Sequence, residues 1–427
     1  MQALFTLFSL GLPFAISVTG VYLLCRLRAF PFLHPVCTVR ALFSGKGVMR
    51  SFSALALALS GTLGVGNITG VALALSVGGA GAILWMWVSA LLAMLVRYGE
   101  VTLALDGGAS GSRLHTLCLL ALAPTLGGAL QSAAAAEAAE TVLSVPPYLT
   151  GIALALLAAA VVFGGAGVIR RAAGALIPPL SVLYLLLTGG VIFTNAARLP
   201  AVLSEIVRGA LSPSAATGGL IGTVTVGFAR GLLSNEAGCG TAPYAHAEAG
   251  GVSPAVQGLF GIAEVGIDTL LFCTATALAI LLPGGKLDGS IVPLVSALQA
   301  VFGQAAPIAL TVSLALFAYA TVLAFSHYGT AALGSLTLSR RSRSLYLLLM
   351  LAAVALGAVL PLSHIAAAVD VLLAVMTYLT LSRLVRGSDR IVSLTIDAGL
   401  LPSKKKGARP CRGGLLTNTD PISNCKL

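Results

Sequence analysis

Residues 61–70 read GTLGVGNITG, and they interrupt an apolar stretch that runs from residue 51 to residue 76. Glycine lowers the stability of a helix interior by about 1 kcal/mol per residue relative to alanine, so four glycines in ten residues favour local unwinding. Unwound backbone inside a bilayer leaves N–H and C=O groups that a ligand, an ion or a neighbouring helix must satisfy. Close glycine packing between two helices is the alternative interpretation.

A second interruption, SNEAGCGTAP, lies at residues 234–243 of the apolar stretch 217–245. Thr241 and Pro243 have the residue types that begin a new helix. Glu236 costs roughly 2.5–3.5 kcal/mol at the centre of a membrane helix, so we expect it to have a role. It is predicted either to pair with Arg230 or to brace the broken backbone through hydrogen bonds.

The composition excludes a water-soluble domain. Of the 427 residues, 57% are hydrophobic and 9% are charged, and the mean hydropathy is +0.99. Soluble domains carry about 25% charged residues. The apolar runs are continuous rather than alternating, which favours helices over a membrane barrel. The sequence therefore predicts an all-α integral membrane protein.

Eleven segments reach the length of about 20 residues that a bilayer crossing needs. Two shorter amphipathic segments, 201–211 and 290–302, are predicted to lie at the membrane surface. The predicted spans are 3–25, 51–76, 80–106, 113–143, 148–165, 175–195, 217–245, 256–283, 305–326, 344–362 and 364–385.

The positive charges indicate the orientation of these spans. If the loop after the first span is cytoplasmic, 21 of the 25 Lys and Arg residues lie at cytoplasmic ends, Arg97 among them. Cytoplasmic loops of membrane proteins are enriched in these residues. This distribution explains the net charge of +11 without a nucleic-acid partner. It places the N-terminus outside and the C-terminus in the cytoplasm.

Without the first span, ten spans remain, and they divide into two groups of five. Five is odd, so the second group enters the membrane from the opposite side. The first span of each group carries one interruption, and paired interruptions at matching positions indicate a transporter binding site. The predicted organisation is a leading span and basic loop at 1–50, repeats at 51–195 and 217–385, and a basic, disordered cytoplasmic tail at 386–427.

The chemistry of two broken helices suits a small zwitterion. Free N–H groups at the start of a half-helix attract a carboxylate. Free carbonyls at the end of a half-helix suit an ammonium group or a bare cation. Glycine walls leave little room, so the substrate is expected to be small.

These interruptions resemble the alanine/glycine:cation symporter family. Residues 62–71 match its T-x-G-T-G-N-I-A-G-V motif, with Val65 in place of threonine and Thr69 in place of alanine. Residues 231–243, GLLSNEAGCGTAP, are close to its G-L-F-S-N-E-A-G-M-G-S-A-P motif. The resemblance covers residues 10 to 335.

The resemblance implies a five-plus-five inverted repeat of the leucine-transporter kind with one extra N-terminal helix. It implies symport of alanine or glycine with Na⁺, or alternatively H⁺, by alternating access across the plasma (inner) membrane. No cofactor is implied, and we expect a monomer. The implied substrate-binding residues are Thr62, Gly64, Gly66, Asn67, Gln131, Asn235, Glu236, Ala237 and Gly238. The implied Na⁺ site lies near Thr321, with Leu63 and Ser326.

Several positions depart from the family pattern close to this predicted site. Ala320 replaces a hydroxyl residue beside Thr321, so the choice between Na⁺ and H⁺ stays open. Phe325 stands where the family has tryptophan. The remaining departures at the site are Val65, Ala133 and Ala134.

Two other classes of function compete with a carrier. Residues 108–111, GASG, resemble the G-x-S-G of rhomboid proteases, in which Ser110 would be the nucleophile. His115 is too close in sequence to be the base from a distant helix. An ion channel also places irregular backbone at mid-membrane, but it usually has a symmetric assembly or a repeated filter.

Overall fold

A computed structural model describes residues 2–43, 47–107, 112–211, 220–285, 287–336 and 339–402. Within these ranges all regular structure is helical, as predicted. The first half contains α1 (Gln2–Arg26), α2 (Phe30–Leu33), α3 (Pro35–Leu42), α4 (Val48–Thr62), α5 (Val71–Gly78), α6 (Gly81–Gly107), α7 (Arg113–Leu122), α8 (Gln131–Leu143), α9 (Pro147–Val162), α10 (Ala166–Thr194) and α11 (Leu199–Leu211).

The second half continues with α12 (Leu220–Asn235), α13 (Ala242–His246), α14 (Pro254–Val265), α15 (Thr274–Leu281), α16 (Val292–Phe302), α17 (Ala305–Gly334), α18 (Arg340–Gly357), α19 (Leu362–Arg386) and α20 (Ser388–Asp397). Three π-helical turns, Gly66–Gly70, Ala123–Leu130 and Gly266–Cys273, lie inside longer helical runs. Such turns appear frequently at functional sites.

Within the described residues, each predicted span overlaps one or more of these helices. Among the described residues, six runs are long and apolar enough to cross a membrane: Gly81–Gly107, Arg113–Leu143, Ala166–Thr194, Pro254–Leu281, Ala305–Gly334 and His364–Arg386. A bent pair, Val48–Thr62 and Gly66–Gly78, adds a seventh. The count of eleven and the inverted repeat stay predictions.

The bent pair is the first glycine-rich interruption, and its two halves meet at 58°. Residues 63–65 are not helical. A Cβ on Gly64 would lie 3.0 Å from Gln131 Oε1, whereas a Cβ on Gly66 would meet nothing within 4 Å. The non-helical residues 63–65 support unwinding at this interruption, while Gly66, which begins the following π-helical turn, packs against no neighbour.

Helix α6 is at the centre of the fold, where it packs against α1, α11, α12 and α14. Glycines permit the close approach of α12, because a Cβ on Gly231 would lie 2.3 Å from Ser89 Oγ. Arg97 of this helix is 0% exposed. The charge count placed Arg97 at a cytoplasmic end of its span, and in the structure it is buried within α6, where two carboxylates neutralise its charge.

The C-terminal region begins with a helix rather than with the disorder expected from residue 386. Helix α20 follows α19 after Gly387, and Arg390 binds both carboxylate oxygens of Asp106 at 2.7 and 2.6 Å. This bidentate pair fixes α20 against the end of α6. Residues 403–427, which hold the Lys404–Lys406 run, lie outside the described residues.

Candidate functional site

A cavity of about 670 Å³ extends from both interruptions to the segment before α16 and the first turns of α19. We call residues 62–66 the first break and residues 236–241 the second break. The cavity is lined by Gly61, Thr62, Gly64, Val65, Gly66, Thr69, Gly70, Leu73, Leu126, Leu130, Gln131, Ala134, Glu137, Arg230, Leu233, Ser234, Glu236, Gly289, Ser290, Ile291, Leu362, Ala366, Val369, Asp370 and Leu373.

The first break keeps one polar group unpaired at the cavity wall. The Gly64 N–H donates to Asn67 Oδ1 at 3.2 Å, and the Val65 N–H donates to Gln131 Oε1 at 3.5 Å. Thr62 is 7% exposed, and its buried Oγ1 has no hydrogen-bond partner among the described residues. A buried hydroxyl without a partner costs about 1–3 kcal/mol, so a polar ligand at this point would be stabilised.

The second break is held by the protein itself. Three of its residues have positive φ angles, namely Glu236 at 52°, Gly238 at 89° and Gly240 at 80°. The Glu100 carboxylate accepts hydrogen bonds from the N–H of Gly238 at 3.0 Å and of Gly240 at 2.5 Å. Glu100 thus satisfies N–H groups of the second break that could otherwise have attracted a substrate carboxylate.

A buried ionic network surrounds Glu100. Arg97 donates to Glu100 Oε2 at 3.2 Å and to the carbonyl of Asn235, the last residue before the second break. It also lies 3.5 Å from Glu264, which His246 contacts at 3.0 Å. A buried guanidinium is stable only when charges and hydrogen bonds compensate it. This network therefore fixes the backbone of the second break.

Glu236 does not form the predicted ion pair with Arg230. Within the described chain its recorded side-chain partner is Thr241, whose hydroxyl donates to Glu236 Oε2 at 2.9 Å. The bond spans the second break, so bracing was the correct alternative. Thr241 has no side-chain cap bond to α13, although Pro243 lies in the first turn as predicted.

Asp268 connects the two breaks. It is 0% exposed and lies in the π-helical turn Gly266–Cys273. Its Oδ1 accepts from Asn67 Nδ2 at 2.6 Å, and its Oδ2 accepts from the hydroxyls of Ser234 at 2.6 Å and Thr269 at 2.9 Å. Asn67 follows the first break, and Ser234 precedes the second.

The structure brings part of the predicted ion site together. Leu63 lies in the first break, and a Cβ on Gly64 would lie 3.2 Å from Thr321 Oγ1. Thr321 donates to the Phe317 carbonyl at 3.1 Å, and Ser326 donates to the Val322 carbonyl at 2.7 Å. Ser326 is five residues after Thr321, which turns its side chain by about 140° around the helix. The two hydroxyls therefore do not face one point.

The predicted substrate residues divide into two sets. Those lining the cavity are Thr62, Gly64, Gly66, Gln131 and Glu236. Asn67, Asn235, Ala237 and Gly238 instead hold the breaks in shape. The Asn235 side chain, for example, accepts from the Ala237 N–H at 3.0 Å.

Two of the departures from the family pattern have a direct structural account. A Cβ on Gly127 would lie 2.1 Å from Phe325 Cβ, so the aromatic side chain at position 325 packs directly over this glycine. Ala134 lines the cavity with a methyl group. Ala133, Ala320 and Val65 are buried.

Charged side chains lie in the wall of the cavity away from the breaks. Arg230 and Asp370 line the cavity and attract each other electrostatically, and Glu137 also lines the cavity. Nearby, the backbone N–H and hydroxyl of Ser290 hold the pKa of Asp288 below its usual range. These charged side chains make this part of the cavity wall polar.

Sequence reasoning missed the roles of Arg97, Glu100 and Asp268. The spacing of Arg97 and Glu100 by three residues inside an apolar span was the available signal, because such residues face each other on one helix. Asp268 gave only the general signal of a carboxylate within a span.

The protease-like motif gains no support. Ser110 lies outside the described residues. His115 Nε2 forms a hydrogen bond of 2.9 Å with the carbonyl of Cys239 in the second break. His115 therefore supports the backbone of the break.

The sequence profile of the sodium:alanine symporter family matches residues 4–106 and 110–397. The sodium/alanine symporter AgcS of Methanococcus maripaludis is 34% identical, covering 73% of this chain and 77% of its own. The putative sodium/proton-dependent alanine carrier YrbD of Bacillus subtilis is 33% identical, covering 88% and 85%. A manganese transporter of Eremococcus coleocola has a TM-score of 0.48 at 16% identity, covering 86% and 84%.

The profile match covers most of the chain, and both relatives match over more than two thirds of their length. These relatives are transporters rather than enzymes, and the apolar helical runs agree with a multi-pass membrane protein. The chain belongs to the sodium:alanine symporter family.

Proposed function

We propose that this chain carries a small neutral amino acid, such as alanine or glycine, together with Na⁺ or alternatively H⁺, by alternating access. The observation that carries the proposal is the unpaired hydroxyl of Thr62 at the first break, in a cavity that both breaks line. Among the relatives of this chain, AgcS and YrbD are named for alanine. GlnT of Bacillus subtilis, which is 31% identical, is named for glutamine.

The substrate carboxylate would bind at the first break. There the Thr62 hydroxyl, which has no hydrogen-bond partner among the described residues, would donate to it. The ammonium group would face Glu236, whose Oε2 is held by Thr241. The empty space beside Gly66 leaves room for a small side chain.

Na⁺ would bind between the first break and α17. A Leu63 carbonyl and the Thr321 hydroxyl supply the hard oxygen atoms that such a cation prefers. Ala320 adds none, so the protein offers fewer hydroxyl ligands here than the family pattern. Ser326 is excluded from this set by its position around the helix.

In the predicted orientation the cavity leads to the outer surface. The opposite side is closed by the Arg97 network and by Arg170 of α10, which binds Glu248 at 2.5 Å. His327 of α17 lies 3.5 Å from the same carboxylate. The conformation thus corresponds to an outward-facing carrier, and transport requires these inner contacts to separate.

Uptake into proteoliposomes tests the proposal. Purified protein should accumulate labelled alanine or glycine under an inward Na⁺ gradient, an inward H⁺ gradient or both, and protein-free liposomes should not. Uptake should saturate and show counterflow, which separates a carrier from a channel. Absence of uptake for every small neutral amino acid under either gradient would refute the proposal.

A further inference from the structure

Asp268 is a buried carboxylate that forms no ion pair with another described residue. Among the described residues, the ion pairs of the core join Arg97 and His246 to Glu100 and Glu264, and none includes Asp268. Its recorded side-chain partners are one amide and two hydroxyl groups. An ionised carboxylate in a membrane interior is costly, so such residues mark ion pathways and proton relays.

The hydrogen bonds around Asp268 have a consistent direction. Asn67 Nδ2 donates to Ser234 Oγ at 3.1 Å, and Ser234 donates to Asp268. On the other side Asn235 Nδ2 donates to Thr269 Oγ1 at 3.0 Å, and Thr269 donates to Asp268. Each hydroxyl accepts from an amide and donates to the carboxylate, which is the pattern of an ionised acid.

The two amides in this relay also shape the two breaks. Asn67 Oδ1 accepts from the Gly64 N–H in the first break, and Asn235 Oδ1 accepts from the Ala237 N–H in the second. The orientation of both amides therefore depends on a single carboxylate. A neutral acid must donate one bond itself, so the Ser234 or Thr269 hydroxyl would have to turn away.

We propose that Asp268 takes up and releases a proton during transport, and that its charge sets the conformation of both breaks. The inference rests on the proposed function and adds a proton site to it. A proton fits better than Na⁺, because N–H and O–H donors surround the carboxylate and direct hydrogen atoms rather than lone pairs at it.

Ser234 connects this site to water. It lines the cavity and lies 2.6 Å from Asp268 Oδ2. A hydronium ion in the cavity can give a proton to Ser234 Oγ, leaving water, while the hydroxyl proton of Ser234 passes to Asp268 Oδ2. One O–H bond forms on Asp268, the O–H bond broken at Ser234 is replaced from the hydronium ion, and a neutral water remains. Release follows the same steps in reverse.

Other titratable groups surround the relay and would influence it. Cys273 contacts both Ser234 and Asn67, at 3.2 and 3.6 Å. The remaining groups are Glu264, four residues before Asp268 and itself 3.5 Å from Arg97, Glu236 from the second break, and Tyr184 from α10, whose hydroxyl bonds Thr276.

The test measures labelled amino-acid uptake and proton entry in the same proteoliposomes, with a pH dye inside, in the presence and absence of Na⁺. Wild-type protein should admit protons with the amino acid. Asp268→Asn should retain exchange of internal for external substrate. Its rate of proton entry should fall about tenfold or more relative to wild type. Glu140→Gln, which changes an exposed carboxylate outside the cavity, should behave as wild type.

Amino-acid uptake by wild type without proton entry, at any pH, overturns the inference and leaves the proposed function intact. Proton entry in Asp268→Asn equal to wild type also overturns it. Asp268→Glu provides a second test, because it keeps an acid but moves it by one methylene. A pH optimum of amino-acid uptake that differs from wild type supports the proton site, and an unchanged optimum contradicts it.

Discussion

The Glu100 carboxylate of α6 accepts the N–H of Gly240 at 2.5 Å, across 140 positions of the chain. Its second oxygen accepts the N–H of Gly238 and also contacts Arg97. An internal anion thus occupies the positive backbone groups of the second break. The free polar group in the cavity wall belongs instead to the first break.

Replacing Glu100 should destabilise the whole protein. Glu100→Gln removes the charge that compensates Arg97 and leaves one oxygen for two N–H donors. Breaking a buried ion pair costs about 3–5 kcal/mol, so the apparent Tm in detergent should fall clearly. Glu140→Gln, at an exposed position, should change the Tm little, and an equal Tm for both variants would show that the network contributes nothing.

Replacing Thr62 should weaken substrate binding while the fold is kept. Thr62→Ala removes the unpaired hydroxyl, and hydrogen bonds to charged groups contribute about 1.5–3 kcal/mol. The KM for alanine should therefore rise about 10- to 100-fold. Thr62→Ser retains the hydroxyl and should stay close to wild type. An unchanged KM in Thr62→Ala would remove this residue from the site.

A methyl group at Gly66 should alter the size preference. A Cβ there meets nothing within 4 Å, so Gly66→Ala should fold normally and reduce the space beside the substrate. Uptake of alanine should fall more than uptake of glycine. Gly70→Ala is the matched control, since its Cβ also enters open space at the cavity wall, one turn away. If the ratio of alanine uptake to glycine uptake were the same in both variants, the substrate side chain would not lie beside Gly66.

Gly81 should be required for packing rather than for transport chemistry. A Cβ at this position would lie 2.4 Å from the backbone nitrogen of Ala210, so α11 would be displaced from α6. Overpacking costs typically 1–3 kcal/mol, so Gly81→Ala should lower the apparent Tm. Gly107→Ala, where a Cβ meets nothing within 4 Å, is the control and should not lower it.

The sequence was sufficient for the helical segments and for the position of both breaks. Continuous apolar runs mark the spans, and clustered glycines mark the bend after Thr62, because both are local properties. The partners of the breaks were not predictable in this way. Arg97 reaches Asn235 across 138 positions, and Asn67 reaches Asp268 across 201. Charge counting used Arg97 only as an orientation signal at the end of a span, because the counting rule does not consider buried pairs.

The unequal support of the two breaks also affects how this protein can vary. Substitutions around the second break disturb a network on which folding depends, so few should survive selection. The first break has an unpaired hydroxyl and a glycine with empty space beside it, so substitutions there need not disturb the scaffold. New substrate preferences should therefore arise, in nature or in the laboratory, mainly through residues that line the first break.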